Sequence, residues 1–204
     1  MLKMNLMDII QSQMSDELVA GLSSQLGVSD KDTTKNAAMG AVATLINALT
    51  KNASSNEGLQ SLNGAVERDH DGSIMNNVVE MLTGKGQTNN LINGAGILRH
   101  VLGGKQSGVI DILANMTGLN KNSSANLMMQ MAPLVLGALG KQKKKQGLDA
   151  QGLFGLLRQS KEEVQQRDSN ANIFEKILDQ DGDGKISDDL MGMGMKVLGG
   201  FFKR

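Results

Sequence analysis

The sequence predicts an all-α protein made of two related helical modules. Three observations point there. Apolar residues recur at spacings of three and four almost everywhere, the mark of one buried helix face. No run of β-branched residues alternates at period two, so strands are not expected. The pattern of the first part also returns about 90 residues later, as Gly27 returns at Gly118.

The elements follow in order. Ile9, Ile10, Met14, Leu18, Val19, Leu22 and Leu26 form one apolar stripe, closed by Gly27 as a helix C-terminal glycine. Ser29 and Asp30 supply capping oxygens for a second helix, which carries Ala37, Ala38, Ala41, Val42, Leu45, Ile46 and Leu49. Asn56 and Gly58 open a short third segment with Leu59, Leu62 and Val66. The stretch 84–108 is rich in Gly and Asn. Within it Leu91, Ile92, Ile97, Leu98 and Val101 predict a short helix. Then 109–113 leads to Gly118 as 18–22 leads to Gly27, and 120–124 matches 29–33. Residues 47–51 return as 137–141, and Gly58-Leu59 returns as Gly147-Leu148. The organisation read from this is a first module over 1–83, a connection over 84–108, a second module over 109–165, and a tail over 166–204.

Composition narrows the function. The 204 residues include no Cys, Trp or Tyr, and 21 Lys plus Arg balance 21 Asp plus Glu. That excludes a disulfide scaffold, a thiolate metal site and a cysteine nucleophile. It also argues against a strongly basic nucleic-acid binder. Two His residues leave little for acid–base catalysis, and no Gly-x-Ser-x-Gly elbow occurs, so no enzyme is expected. The core must come from Leu, Ile, Val, Met and Ala, since Phe154, Phe174, Phe201 and Phe202 are the only aromatics. With 14 Met and few rigid rings, such a core is soft, or is completed by a neighbouring molecule. No secretory signal stands at the start, and no apolar run reaches the ~18 residues of a membrane span. A soluble cytoplasmic protein is the expectation.

Several spaced segments carry a family resemblance. They are 7–10 (Met-Asp-Ile-Ile), 69–74 (Asp-His-Asp-Gly-Ser-Ile), 94–98, 100–108 and 131–139, with 181–184 and 191–194 in the tail. Together they resemble the YidB-like family of bacterial proteins. The resemblance implies a bacterial, all-helical protein, with a homeodomain-like arrangement of helices and no established catalytic residues.

The sharpest chemical motif is the acidic loop at 179–190. An EF-hand loop needs oxygen ligands at positions 1, 3 and 5, Gly at 6, a carbonyl at 7 and a bidentate carboxylate at 12. Asp179, Asp181 and Asp183 fill the first three, Gly184 the turn, Lys185 the carbonyl and Ser187 the ninth position. Leu190 stands at position 12, so Asp188 or Asp189 must bend round to substitute. Ca²⁺ binding there is expected to be weak, with Kd in the ~10⁻⁴–10⁻³ M range. A poorer copy runs from Glu67 through Asp69, Asp71 and Ser73, with Val78 at its twelfth position. The same residues also suit ordinary turns and helix starts.

Other features have plainer readings. His70 fits a surface turn, and His100 a helix surface. The basic run 141–145 fits a helix end, where cations oppose the dipole, more than a phosphate contact. Gly94, Gly96, Gly103, Gly104 and Gly108 fit close helix packing better than a phosphate loop, since no strand precedes them. The tail from Leu190 to Arg204 is apolar, Met-rich and basic at its end, which suits docking or self-association. The function expected is therefore a non-enzymatic structural or interaction protein. It forms homo-oligomers, binds Ca²⁺ weakly, crosses no membrane and has no identified small-molecule substrate. The alternative is a DNA-binding or regulatory module with a helix-turn-helix-like element.

Overall fold

The computed structural model describes residues 6–76, 78–79 and 94–167. Among them no strand occurs, and the fold is all-α. The chain runs through α1 (Leu6–Gln13), α2 (Asp16–Leu26), α3 (Lys31–Asn52), α4 (Asn56–Asp69) and a 3-10 turn at Ser73–Asn76. It continues through α5 (Gly94–Leu102), a 3-10 turn at Gly103–Lys105, α6 (Gln106–Thr117), α7 (Lys121–Gln146) and α8 (Ala150–Arg167).

Local chemistry sets most boundaries. Gly27 and Gly118 end α2 and α6 in the left-handed conformation, at φ 68 and 72°. Asp30 caps α3 by accepting from the Asp32 and Thr33 amides. Asn120 caps α7 in the same way, its Oδ1 accepting from Ser123 N at 2.8 Å. The apolar stripe expected to run unbroken from Ile9 to Leu26 is instead two helices. Ser15 accounts for the break: its side chain accepts from Leu18 N at 3.2 Å, and Asp16 and Glu17 fill the first turn of α2. In 94–102 the expected short helix forms, while Leu91 and Ile92 lie outside the described residues.

The long helices α3 and α7 pack against each other at the centre. Residues 41–50 of α3 and 131–140 of α7 are buried without interruption, so each helix is covered on every side there. The covering crosses over. From the C-terminal half, α8 lies along α3. From the N-terminal half, α4 packs on α7, and α1 touches both α7 and α8. α5 bridges α7 and α3, while α2 and α6 each contact both long helices. One hydrophobic core results, built from Leu, Ile, Val, Met and Ala. Phe154 packs against it, partly buried.

Glycines let neighbouring segments approach α7 closely. A β-carbon on Gly137 would run into Ile74, and one on Gly140 would run into the His70 carbonyl. Pro133 lies inside α7 and has no N–H to give the carbonyl of Met129. Gly94, the first residue of α5, sits against that carbonyl with no room for a β-carbon. Close packing, the reading favoured for Gly94 in the sequence, is what the structure shows. Gly103 serves differently, adopting φ 54° in a turn, and Gly104 faces open space.

Candidate functional site

A groove of about 650 Å³ lies between α4 and α5. Its floor is apolar: Leu49, Leu62, Ile97, Val101 and Leu136. Its rim carries Glu57, Ser61, Asp69 and His100. The α3–α4 corner and α5 are tied together by Asn52. Its Nδ2 donates to the Val101 carbonyl at 2.8 Å, with the His100 carbonyl at 3.4 Å. These carbonyls stand in the last turn of α5, where the helix itself offers no donor. Gly58 admits the Asn52 carbonyl, which a β-carbon there would strike. Ser55 caps α4 from the same corner, accepting from Gly58 N at 3.0 Å.

Both histidines of the chain line this groove. The sequence placed them in separate segments, and only the fold brings them to one groove. His100 is exposed. His70 is 7% exposed, against the surface-turn position expected for it. The difference arises because the backbone at 70 rests on Gly140 of α7. Burial lowers the His70 pKa below the usual imidazole value, and the Asp69 carboxylate opposes that shift in part. Glu57 and Asp69 sit at opposite ends of α4. At ~1.5 Å per residue they are roughly 18 Å apart along the axis. They are too far apart to act as a carboxylate pair on one substrate.

The two acidic loops fare differently. Asp179, Asp181, Asp183, Lys185, Ser187 and Asp189 lie outside the described residues. The weaker copy is described through Ser73 and spreads over three local settings. Glu67 is on α4, where its Oε1 pairs with Lys143 Nζ at 3.1 Å and accepts from Asn63 Nδ2 at 3.2 Å. Both contacts lower its pKa, the Lys143 hydrogen bond most. Asp69, in the last turn of α4, is 3.8 Å from Arg68. Asp71 accepts from Ser73 N at 3.0 Å and so closes a turn into the 3-10 segment. Gly72 there has φ 94°, the left-handed backbone expected of the loop's sixth position. No group of three or more His, Asp or Glu side chains is gathered as metal ligands among the described residues.

The basic run closes α7. Lys143, Lys144 and Lys145 occupy its last turn, and Gly147 ends it at φ 62°. Lys143 Nζ also donates to the Leu148 carbonyl at 2.6 Å, so one cation of the run is fixed inside the fold. Among the described residues no helix is long and apolar enough to cross a membrane.

Fold and groove together define an all-helical domain with an open, apolar-floored surface site. The chain belongs to a family of bacterial proteins of unknown function, DUF937, of which YidB is a member; the family model matches residues 8–142. That match runs from α1 into the last turns of α7 and leaves α8 beyond it. No curated protein and no solved structure matches the chain.

Proposed function

We propose that this is a non-enzymatic structural or interaction protein that self-associates, with weak Ca²⁺ binding at Asp179, Asp181, Asp183, Lys185, Ser187 and Asp189. The observation that carries the reading is the crossed covering of the core: α8 lies on α3, and α4 lies on α7. Each half, read as one of two related modules, completes its long helix with helices from the other. The same contacts are open to halves of two different chains, which is the route of domain swapping. A core of Leu, Met and Ala tolerates such exchange better than one pinned by large rings. The separation of Glu57 from Asp69 supports a docking role for the groove over a reactive one. With Lys143 engaged by Leu148 and Glu67, three lysines of the run 141–145 are left to face phosphates, too few for the DNA-binding alternative to be preferred.

The test is mass by light scattering across protein concentration, with and without millimolar Ca²⁺. Refractive index reports concentration, because the chain has no Trp or Tyr. Mass that grows with concentration is expected, and a constant monomer mass overturns self-association. A Ca²⁺-dependent change that Asp181→Asn together with Asp183→Asn removes supports the loop. An identical Ca²⁺ response in that variant sinks it.

A further inference from the structure

The groove between α4 and α5 combines an apolar floor with an acidic rim. Among the described residues its lining holds two carboxylates, Glu57 and Asp69, and no Lys or Arg. A fitting occupant is an apolar segment that carries positive charge. The chain itself contains one. Residues 190–204 hold Leu190, Met191, Met193, Met195, Val197, Leu198, Phe201 and Phe202, with Lys196, Lys203 and Arg204 and no Asp or Glu. We infer that this segment docks in the groove of its own chain.

Three observations carry the inference. The first is charge complementarity between rim and segment, which guides such docking and sets its register. The second is where the described chain ends. Gln165, in the last described turn of α8, shares a cleft with Lys51 and Ser54. Asn52 and Ser55, their neighbours in sequence, line the groove. The described chain therefore ends beside the corner that forms one wall of the groove. The third is reach. The connection from Arg167 to Leu190 can span up to about 75 Å at ~3.3 Å per residue, far more than the corner requires. A tethered segment also meets the groove at an effective concentration near the millimolar range, well above that of a free partner. Methionines suit the floor, since their flexible thioethers fill uneven apolar surfaces.

The inference stands apart from self-association, since a monomer can hold its own tail. The natural chain has no Cys, which makes thiol pairing a clean probe in the full-length protein. Ser61→Cys on the groove rim, combined with Met195→Cys, is expected to form a disulfide within one chain under mild diamide oxidation. It should do so at least tenfold faster than a control pair of Glu17→Cys on α2 with Met195→Cys. Mixing the two single variants, S61C and M195C, asks whether the tail serves a second copy. A linked dimer from that mixture, without the intrachain bond, overturns docking in the same chain. Equal rates for the rim and control pairs overturn it as well. Helical circular dichroism of each variant verifies that the fold persists. As a second readout, E57K together with D69K should slow the S61C–M195C bond severalfold. An unchanged rate removes the electrostatic basis of the docking.

Discussion

Gly94 stands against the backbone carbonyl of Met129, the carbonyl that Pro133 leaves without its helical donor. The start of α5 is thereby seated on α7 at the place where the α7 ladder is interrupted. A side chain at 94 would push the two helices apart.

Gly94→Ala is accordingly expected to destabilise the fold by about 1–3 kcal/mol, the usual cost of overpacking. Gly104→Ala is the control, since a β-carbon there meets open space. Urea unfolding followed by circular dichroism compares the two. Equal midpoints would show that the close approach is not a constraint.

Gly140→Ala tests the companion contact under His70. It is expected to cost a similar ~1–3 kcal/mol. It should also raise the accessibility of His70, read as faster hydrogen–deuterium exchange at the imidazole C2 position. A loss of stability with no change at His70 would place the strain elsewhere.

Lys143→Met removes the bond to the Leu148 carbonyl and the ion pair with Glu67. Losing the charged hydrogen bond is expected to cost about 1–2 kcal/mol. The Glu67 carboxyl has a lowered pKa in the folded chain, so its contribution is present above the unfolded carboxylate value and fades as pH falls through the folded one. The variant should therefore show a shallower acid dependence than the parent between about pH 5 and 3. Parallel acid profiles would mean that the pair contributes nothing measurable.

His70 gives the same direction of pH dependence for the opposite physical reason: burial disfavours its charged form, whereas Lys143 favours the charged form of Glu67. The His70 pKa is lowered on folding, so the unfolded chain binds a proton that the folded chain resists. Stability is present above the ordinary imidazole value of about 6.5 and declines as pH drops from there toward the folded value. His70→Gln should flatten that decline. Unfolding midpoints at pH 7.5 and 5.5 decide the matter, and an unchanged slope assigns the pH dependence to other groups.

Asn120→Ala removes the cap of α7 and is expected to cost about 1 kcal/mol. Asn120→Asp, which keeps an acceptor oxygen, should stay within a few tenths of the parent. A loss equal to that of Ala in the Asp variant would show that the cap bond is not the cause.

Much of this was legible in the chain. The 3.6-residue period and the glycine stops at 27 and 118 mark helices and their ends, because they report local conformation; the stop at Gly147 emerges only from the structure. The capping residues Asp30 and Asn120 are equally readable. The break at Ser15 was hidden, because an apolar stripe continues across it and a single serine outweighs the stripe. The burial of His70 was hidden too: it depends on Gly140, far along the chain. The groove was invisible for the same reason. Its wall is assembled from the ends of α3, α4 and α5, and no spacing in the sequence joins Asn52 to Val101. In the acidic motif at 67–73 the sequence reads ligand spacing, while the fold shows local partners. Its residues have oxygen ligands at suitable intervals, yet Glu67 points to a lysine and Asp71 to its own turn.

The crossed covering of α3 and α7 also fixes how the molecule could be taken apart. Neither half encloses its own long helix, so a polypeptide cut between Val79 and Gly94 gives two pieces that each present a bare flank to the other. Such pieces are natural complements. Expressed separately, they would recover their helicity only on mixing, and the gene would serve as a split reporter whose signal is the reunion itself.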